Sequence, residues 1–474
     1  MIFNSISFFI FFLIFFFVYW SINNKCNIQV RNLFIIVSSY VFYGFWDWRF
    51  LSLIFISSAI DFFVAKRIDK EDRKSARKAF LLVSIFVNIG ILGFFKYFNF
   101  FIESFSELFS GFSVEINPTT LKIILPVGIS FYTFQTLSYT IDVYKKRLKP
   151  TNDILSFFAF VSFFPQLVAG PIERASNLLK QFQVKKLFSY NLCTAGLRLV
   201  LWGFFKKIVI ADNFGALADS IFEQSTTIPG VSVFAGAVFF ALQIYSDFSG
   251  YSDIAIGISK MLGFDLMTNF RTPYFAKSFV DFWQRWHISL STWFRDYVYI
   301  PLGGNRKGPL RMHTNIFATF LLSGLWHGAN FTFLIWGGLH GLALIIEKNI
   351  RIKVHKFIYY PIVLFTVILF WLPFRAENIG HLIDLGNSLI DFSSYSFGHL
   401  VSIVDEFSIM RFFILSLVLI SFLIVESKIG LSDFNTWIIQ RSKRTRLMTY
   451  YILIFAIIFI GNFSVKPSFI YFQF

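Results

Sequence analysis

The reading of the fold turns on Asp281–Gly304, DFWQRWHISLSTWFRDYVYIPLGG. The stretch is too polar to cross a bilayer and too aromatic for an ordinary loop. Read as one helix, its register lines Gln284, His287, Ser291 and Arg295 along one side, because residues three or four apart share a helix face. Trp283, Trp286, Trp293, Phe294, Tyr297 and Tyr299 supply an amphipathic aromatic body of the kind that sits at a membrane interface. Pro301 stops the helix, and Gly303-Gly304 turns the chain. The expectation is a helix lying at, or dipping into, a membrane and carrying a histidine.

The surrounding chain supports that setting. Only 15% of its 474 residues are charged and 56% are hydrophobic, with a mean hydropathy of +0.63. Soluble domains carry about 25% charged residues, so this is a membrane chain. The 69 phenylalanines read as codon bias rather than a functional lattice. A formal net charge of +16 fits basic loops on the cytoplasmic side, and no nucleic-acid partner is expected. Cys26 and Cys193 share no motif, which leaves neither a disulfide framework nor a metal-binding cysteine cluster. The first apolar run, Ile2 to Trp20, has no basic residue before it and no convincing cleavage site, so it reads as a retained span.

At about 20 apolar residues per crossing, the candidate spans number about twelve: 2–20, 33–47, 49–64, 79–101, 121–141, 193–211, 231–246, 314–328, 331–347, 357–374, 410–425 and 448–464. The loops alternate in charge. Lys66–Lys78, Lys145–Lys149, Lys348–Lys356 and Arg441–Arg446 are basic and are expected inside. Residues 102–120, 211–230 and 376–408 are acidic and are expected outside, which puts both termini outside. Ile154–Ile172, broken by Pro165, Gly170 and Pro171, leaves and returns to one side and reads as a re-entrant segment. Tyr245–Arg311, with its repeated Tyr-Ser-Asp at Tyr245 and Tyr251, is expected on the inner side beyond the span 231–246. Residues 1–474 form one integral membrane domain on this reading.

Two histidines stand out from the seven. His327, in LLSGLWHGAN between two apolar runs, is an ionisable group within a membrane domain, which costs several kcal/mol unless it faces a cavity or a partner. His287 lies on the opening stretch. His340, in GGLHG, reads as packed or hydrogen-bonded, and the other four lie in loops or at span ends. Asp247 and Asp253 are structural if they meet basic partners, and Glu173-Arg174 reads as a buried pair or a cavity edge. The basic residues of Arg271–Arg311 suit either anionic lipid heads or a phosphorylated donor. HExxH, a phosphate-binding glycine loop, metal-ligand spacing, an aspartate five residues after either histidine and an Asp-His-His-Cys run are all absent.

Four motifs in order, SFFPQLVAGPIER (162–174), YSDFSGYSDIAIGISKMLGF (245–264), FWQRWHISLSTWFRDYVYIPLGGNR (282–306) and GLWHGANFTFLIWGGLHG (324–341), resemble the membrane-bound O-acyltransferase family. The motif core covers about 155–345, and the bacterial alginate O-acetyltransferase branch is the most similar. The resemblance implies an all-α polytopic fold, a multi-helix funnel with re-entrant and interfacial helices around a central channel. It further implies a cytoplasmic thioester donor, acetyl-CoA or an acyl-carrier thioester, and a hydroxyl acceptor on an extracytoplasmic polysaccharide. A periplasmic SGNH-type acetyltransferase partner and a location in the cytoplasmic (inner) membrane follow from it as well. It makes His327 the essential catalytic residue and His287 the second. Arg285, Ser291, Arg295, Asp296, Trp326 and Asn330 stand beside them as candidate donor- and substrate-binding residues. No bound cofactor or metal is expected. Gln284 stands where the family often has a second basic residue, which removes a phosphate contact at that position. D-alanyl transfer to teichoic acid is the alternative within the family, and a transporter or flippase without transferase chemistry is the alternative outside it.

Overall fold

The computed structural model describes residues 1–110, 121, 123–223, 228–349, 355–396, 398–399, 408–463 and 469–470. Glu115, Arg351, Lys353, Asp405 and Glu406, which contribute to the charge pattern of three loops, lie outside the described residues. Among the described residues all regular structure is helical, in two compact units. Unit 1 comprises Met1–Thr194 with Ile258–Met267, and unit 2 comprises Ala195–Gly257 with Thr268–Phe474. The chain is an all-α, multi-pass membrane protein.

Unit 1 contains α1 (Ile6–Lys25), α2 (Ile28–Asp47), α3 (Leu51–Lys70), α4 (Lys74–Leu92), α5 (Phe98–Ser110), α6 (Ile129–Tyr144), α7 (Ile154–Ser162), α8 (Phe164–Leu167) and α9 (Leu178–Phe182). Every side chain of α6 from Ile129 to Thr140 is buried, Thr133, Gln135, Thr136, Ser138 and Thr140 included. A helix encased in protein need not be apolar, because its polar groups find partners: Gln135 donates to the Phe160 carbonyl at 2.8 Å. On α3, Asp61 accepts from Asn88 of α4 at 2.9 Å and from Ser84. The proline-broken segment is irregular as expected. Asp153 caps α7 by accepting from the amides of Leu155 and Ser156. The chain then bends at Phe163, and Pro165 opens α8 in its first turn, where a missing N–H costs nothing. Glu173 beyond it is buried and accepts from the Met267 amide and from Asn177; burial pushes its carboxyl up to about 7.

Unit 2 contains the rest: α10 (Tyr190–Phe204, with its first turn in unit 1), α11 (Asp212–Phe222), α12 (Gly230–Met261, ending in unit 1), α13 (Phe279–Arg285), α14 (Ile288–Phe294), α15 (Gly308–His327) and α16 (Phe331–Asn349). It closes with α17 (Lys356–Arg375), α18 (Ile379–Ile390), α19 (Ile409–Ile429), α20 (Phe434–Ile439) and α21 (Lys443–Phe459). Neighbouring helices in a bilayer gain little from excluding water, so close packing and small residues decide which helices meet. The α15–α16 pair shows this directly. A methyl group placed on Gly324 would lie 2.2 Å from the Phe333 carbonyl oxygen, and one on Gly337 would lie 2.2 Å from that of Phe320. Only glycine permits that approach, and it sets His327 at the end of α15 beside Trp336 of α16.

The expected spans compare with the described helices as follows, and two further expectations are corrected. Seven stretches among the described residues are long and apolar enough to cross a membrane, one of them Ile28–Lys70, whose 43 residues contain two of the expected spans. Of the runs expected at 121–141, 193–211, 314–328 and 448–464, the parts 129–141, 193–211, 314–327 and 448–459 are helical, and none is among the seven. First, the Tyr-Ser-Asp strip does not lie beyond the helix of the span 231–246 but within it, because α12 continues unbroken for 32 residues. Its two carboxylates, Asp247 buried and Asp253 half-buried, remain helical because lysines from a π-helical turn, Phe205–Ala211, neutralise them. Lys207 lies 2.9 Å from Asp247 and 2.8 Å from Asp212, and Lys206 lies 2.6 Å from Asp253. Buried charges are tolerated when paired in this way. Second, the opening stretch is not one helix with an aromatic face on the bilayer. It breaks at His287, and Trp286, Trp293 and Phe294 are buried.

Candidate active site

The break at His287 follows from local signals on both sides. Ser278 caps α13 by accepting from the Asp281 amide at 3.0 Å, and Asp281 accepts in return from the Lys277 amide at 2.8 Å. Two donors freed at the helix start are thereby satisfied. Asp281 also pairs with Arg285 one turn on, at 2.7 Å. Trp286 is then extended, and His287 takes the left-handed conformation, φ 43° and ψ 53°, which costs about 1 kcal/mol or more for a residue with a Cβ and persists only when its surroundings hold it. The loop Asn269–Thr272 supplies that support. The Arg271 amide donates to the Arg285 carbonyl at 3.0 Å, and the Ile288 amide donates to the Asn269 carbonyl at 2.9 Å. The backbone groups exposed by the break are thus satisfied from outside the helix.

Turned out of register, His287 faces inward. Its ring packs at 4.6 Å from Phe248 and 6.2 Å from Phe270, and its Nδ1 is 3.1 Å from Asn269 Oδ1. It is fully buried, and burial pushes its imidazole down to about 3, so it is neutral at physiological pH. His327, 2% exposed, ends α15, and its ring centroid lies 6.4 Å from that of His287. An oxygen at ordinary hydrogen-bond distance, about 2.7–3.2 Å from nitrogen, can reach both rings across that gap. Trp326 lies edge-on to both, at 6.0 and 4.9 Å. Trp336 stands 5.0 Å from His327 and 5.0 Å from His340, which is also fully buried, so the three imidazoles and two indoles form one cluster.

Gln284, Ser291 and Arg295 do share a face, as the register requires, and it is this face that His287 leaves. They line a cavity of about 460 Å³ with Trp283, Ile288, Tyr299, Thr319, Phe320, Ser323 and Lys348. That size lies within the ~300–1,000 Å³ of small-ligand sites. Arg295 and Lys348 are exposed, so the opening is cationic; of the other lining residues, Ile288 follows His287 in the chain and Ser323 lies one helical turn before His327 on α15. Neither histidine belongs to the lining itself. A π-helical turn, Arg295–Tyr299, carries Arg295 and Tyr299 to this wall, an irregularity frequent at functional sites.

The other candidates fall in different places. Arg285 is buried and engaged by Asp281. Asp296 pairs with Arg295 at 2.8 Å, on the cavity rim. Ser291 donates to the Trp286 carbonyl at 3.2 Å, satisfying an acceptor at the break while it lines the cavity. Asn330 donates to the Glu377 carbonyl at 2.6 Å and accepts from the Thr332 amide, which makes it a cap at the start of α16. Asn269 and Trp336 escaped the sequence reading. A buried asparagine in the loop LMTNFRTPYF carries no local signal, and Trp336 looks like any interfacial tryptophan until the close contact of α15 and α16 sets its ring 5.0 Å from that of His327. Among the described residues no group of acidic, histidine and cysteine side chains could hold a metal ion.

Comparison with known proteins covers the region that contains these residues. The profile of the membrane-bound O-acyltransferase family matches residues 151–359, which include both histidines. The chain is 42% identical over 357 residues to the probable alginate O-acetylase AlgI of Pseudomonas aeruginosa, covering 74% of this chain and 68% of that protein. It is 39% identical over 378 residues to the probable alginate O-acetylase AlgI of Pseudomonas putida, covering 78% and 77%. To the peptidoglycan O-acetyltransferase of Helicobacter pylori it is 36% identical over 409 residues, covering 79% and 77%. The chain belongs to the membrane-bound O-acyltransferase family and is an O-acyltransferase.

Proposed function

We propose that the chain takes an acetyl group from a cytoplasmic thioester, acetyl-CoA or an acyl-carrier thioester, and passes it towards hydroxyls of an extracytoplasmic polysaccharide. Transfer is direct or runs through a periplasmic SGNH-type acetyltransferase partner. The observation that carries the reading is the pair of buried imidazoles 6.4 Å apart, one adjoining the lining residue Ile288 and the other one helical turn beyond the lining residue Ser323 of a cavity with a cationic opening. The thioester arm enters at Arg295 and Lys348, whose charges suit the phosphates of the donor or an acidic carrier. His327 accepts the proton of the attacking hydroxyl as its oxygen bonds to the thioester carbonyl carbon. The carbon–sulfur bond then breaks, and the proton passes to the leaving thiolate. A neutral imidazole is the form that can do this, since a general base must start unprotonated. On this reading the cavity opens to the inside, in a bacterial cytoplasmic membrane with both termini outside.

Relatives named for acetyl transfer to alginate and to peptidoglycan favour acetyl over D-alanyl and a polymer over a lipid acceptor. Proteoliposomes of the purified chain separate the donors when supplied with labelled acetyl-CoA in one arm and a labelled D-alanyl carrier protein in the other. Release of coenzyme A in the first arm alone is the expected result. Turnover only with the D-alanyl carrier would replace the acetyl reading.

A further inference from the structure

We infer that Asn269 is a positioning residue that fixes the tautomer of His287, so that the ring presents the lone pair of Nε2, rather than an N–H, to the reacting atoms. The partners of the Asn269 amide identify its oxygen end. The atom beside His287 accepts from the Ser289 backbone amide at 3.3 Å and from the Ser289 hydroxyl at 2.9 Å. A backbone N–H is always a donor, so an NH2 group there would oppose donor to donor. The opposite end then donates to Ser252 Oγ on α12 at 3.2 Å, a hydroxyl able to accept it. The His287 nitrogen at 3.1 Å from this oxygen is Nδ1, and it must therefore carry the proton. Asn269, Ser252 and Ser289 are all buried, so these bonds are shielded from bulk solvent.

For the proposed reaction, on which this consequence rests, His287 is then a proton acceptor and not an N–H donor to a developing oxyanion. When Nε2 takes a proton the ring becomes a cation, with the Asn269 oxygen already aimed at its Nδ1–H. The groups that face His287 are Phe248 from α12, Phe270 from the loop before α13, and Trp326 and His327 from α15; of these, His327 also titrates. Removing the Asn269 side chain leaves its main-chain carbonyl on the Ile288 amide, so the turn keeps its brace while the tautomer loses its guide.

The test uses two variants of the full chain and two readouts. In protein whose histidines carry labelled nitrogen at Nδ1 only, solid-state NMR distinguishes a protonated from an unprotonated Nδ1, and the His287 signal is identified as the one missing from His287→Gln. Wild type and Asn269→Asp should show it protonated, and Asn269→Leu should show it partly or wholly unprotonated. An unprotonated His287 Nδ1 in wild type overturns the proposal, whatever the donor proves to be. In the transfer assay Asn269→Leu should lose about 100-fold or more in kcat with donor KM unchanged, on the scale of general-base assistance. Asn269→Asp should retain most of the rate, with its acid limb displaced to higher pH because a carboxylate stabilises the imidazolium better than an amide does. Full activity in Asn269→Leu, or an Asn269→Asp profile superimposable on wild type, overturns the positioning role.

Discussion

Gly324→Ala makes the dependence of the site on one helix contact measurable. The added methyl would sit 2.2 Å from the Phe333 carbonyl oxygen, against the 3.4 Å at which ordinary van der Waals contact begins. The helices α15 and α16 must therefore part locally by about 1.2 Å, since the obstacle is backbone and cannot rotate away. His327 lies three residues beyond Gly324 on α15, and Trp336, which packs on its ring, precedes Gly337 on α16. A displacement of about 1 Å between catalytic groups costs about 100-fold in rate. Gly338→Ala is the internal control, because its methyl would meet Leu321 at 3.6 Å, an ordinary contact. Both variants are purified in detergent, their helicity and thermal transitions are compared with wild type, and thioester turnover is measured at saturating donor. The expected outcome is a roughly 100-fold loss of kcat in Gly324→Ala and less than a few-fold change in Gly338→Ala. Equal and near wild-type rates in the two would refute the claim that this contact sets the geometry of His327.

Acid should destabilise the protein through His287. Its folded-state value of about 3 lies below the ordinary 6.5, so the unfolded chain binds more protons in that window and stability falls as pH drops below about 6.5. Between pH 6.5 and 5 the loss from this group is about 2 kcal/mol, and thermal denaturation of His287→Gln over the same range should show a correspondingly flatter profile. Arg295→Ala should raise donor KM several-fold, about 1 kcal/mol, and leave kcat alone, because the side chain is exposed on the cavity rim, away from the two imidazoles. A kcat effect larger than the KM effect would move Arg295 into the chemistry. Asn330→Ala should cost about 1 kcal/mol of stability through loss of the α16 cap, with donor KM unchanged. A raised KM at full stability would restore Asn330 to the binding residues.

The apolar runs that became α1, α4, α16, α17 and α19 were legible because lipid-facing helices must be hydrophobic along their length. The polar helices were harder. On α12 the strip YSDFSGYSD looks like the end of a span until Lys206 and Lys207, some forty residues earlier, are seen to neutralise its aspartates. No periodicity pairs residues that far apart. The histidines were legible as chemistry out of place, an ionisable ring between apolar runs and another on a polar aromatic stretch. Their meeting was not, because the turn at His287 contains neither glycine nor proline. Its cause lies in Asn269 and Arg271, whose backbones hold the broken helix ends from a neighbouring loop. A register read through that turn groups Gln284, Ser291 and Arg295 correctly and puts the histidine with them, when it faces the other way.

The central claim is that His327, held 6.4 Å from His287, performs acyl transfer. Release of coenzyme A from acetyl-CoA by purified protein in proteoliposomes, with wild type and His327→Ala compared at equal amounts of folded protein, tests it most directly. The account predicts sustained turnover by wild type and a loss of at least about 100-fold in the variant. Turnover by His327→Ala at the wild-type rate would contradict it.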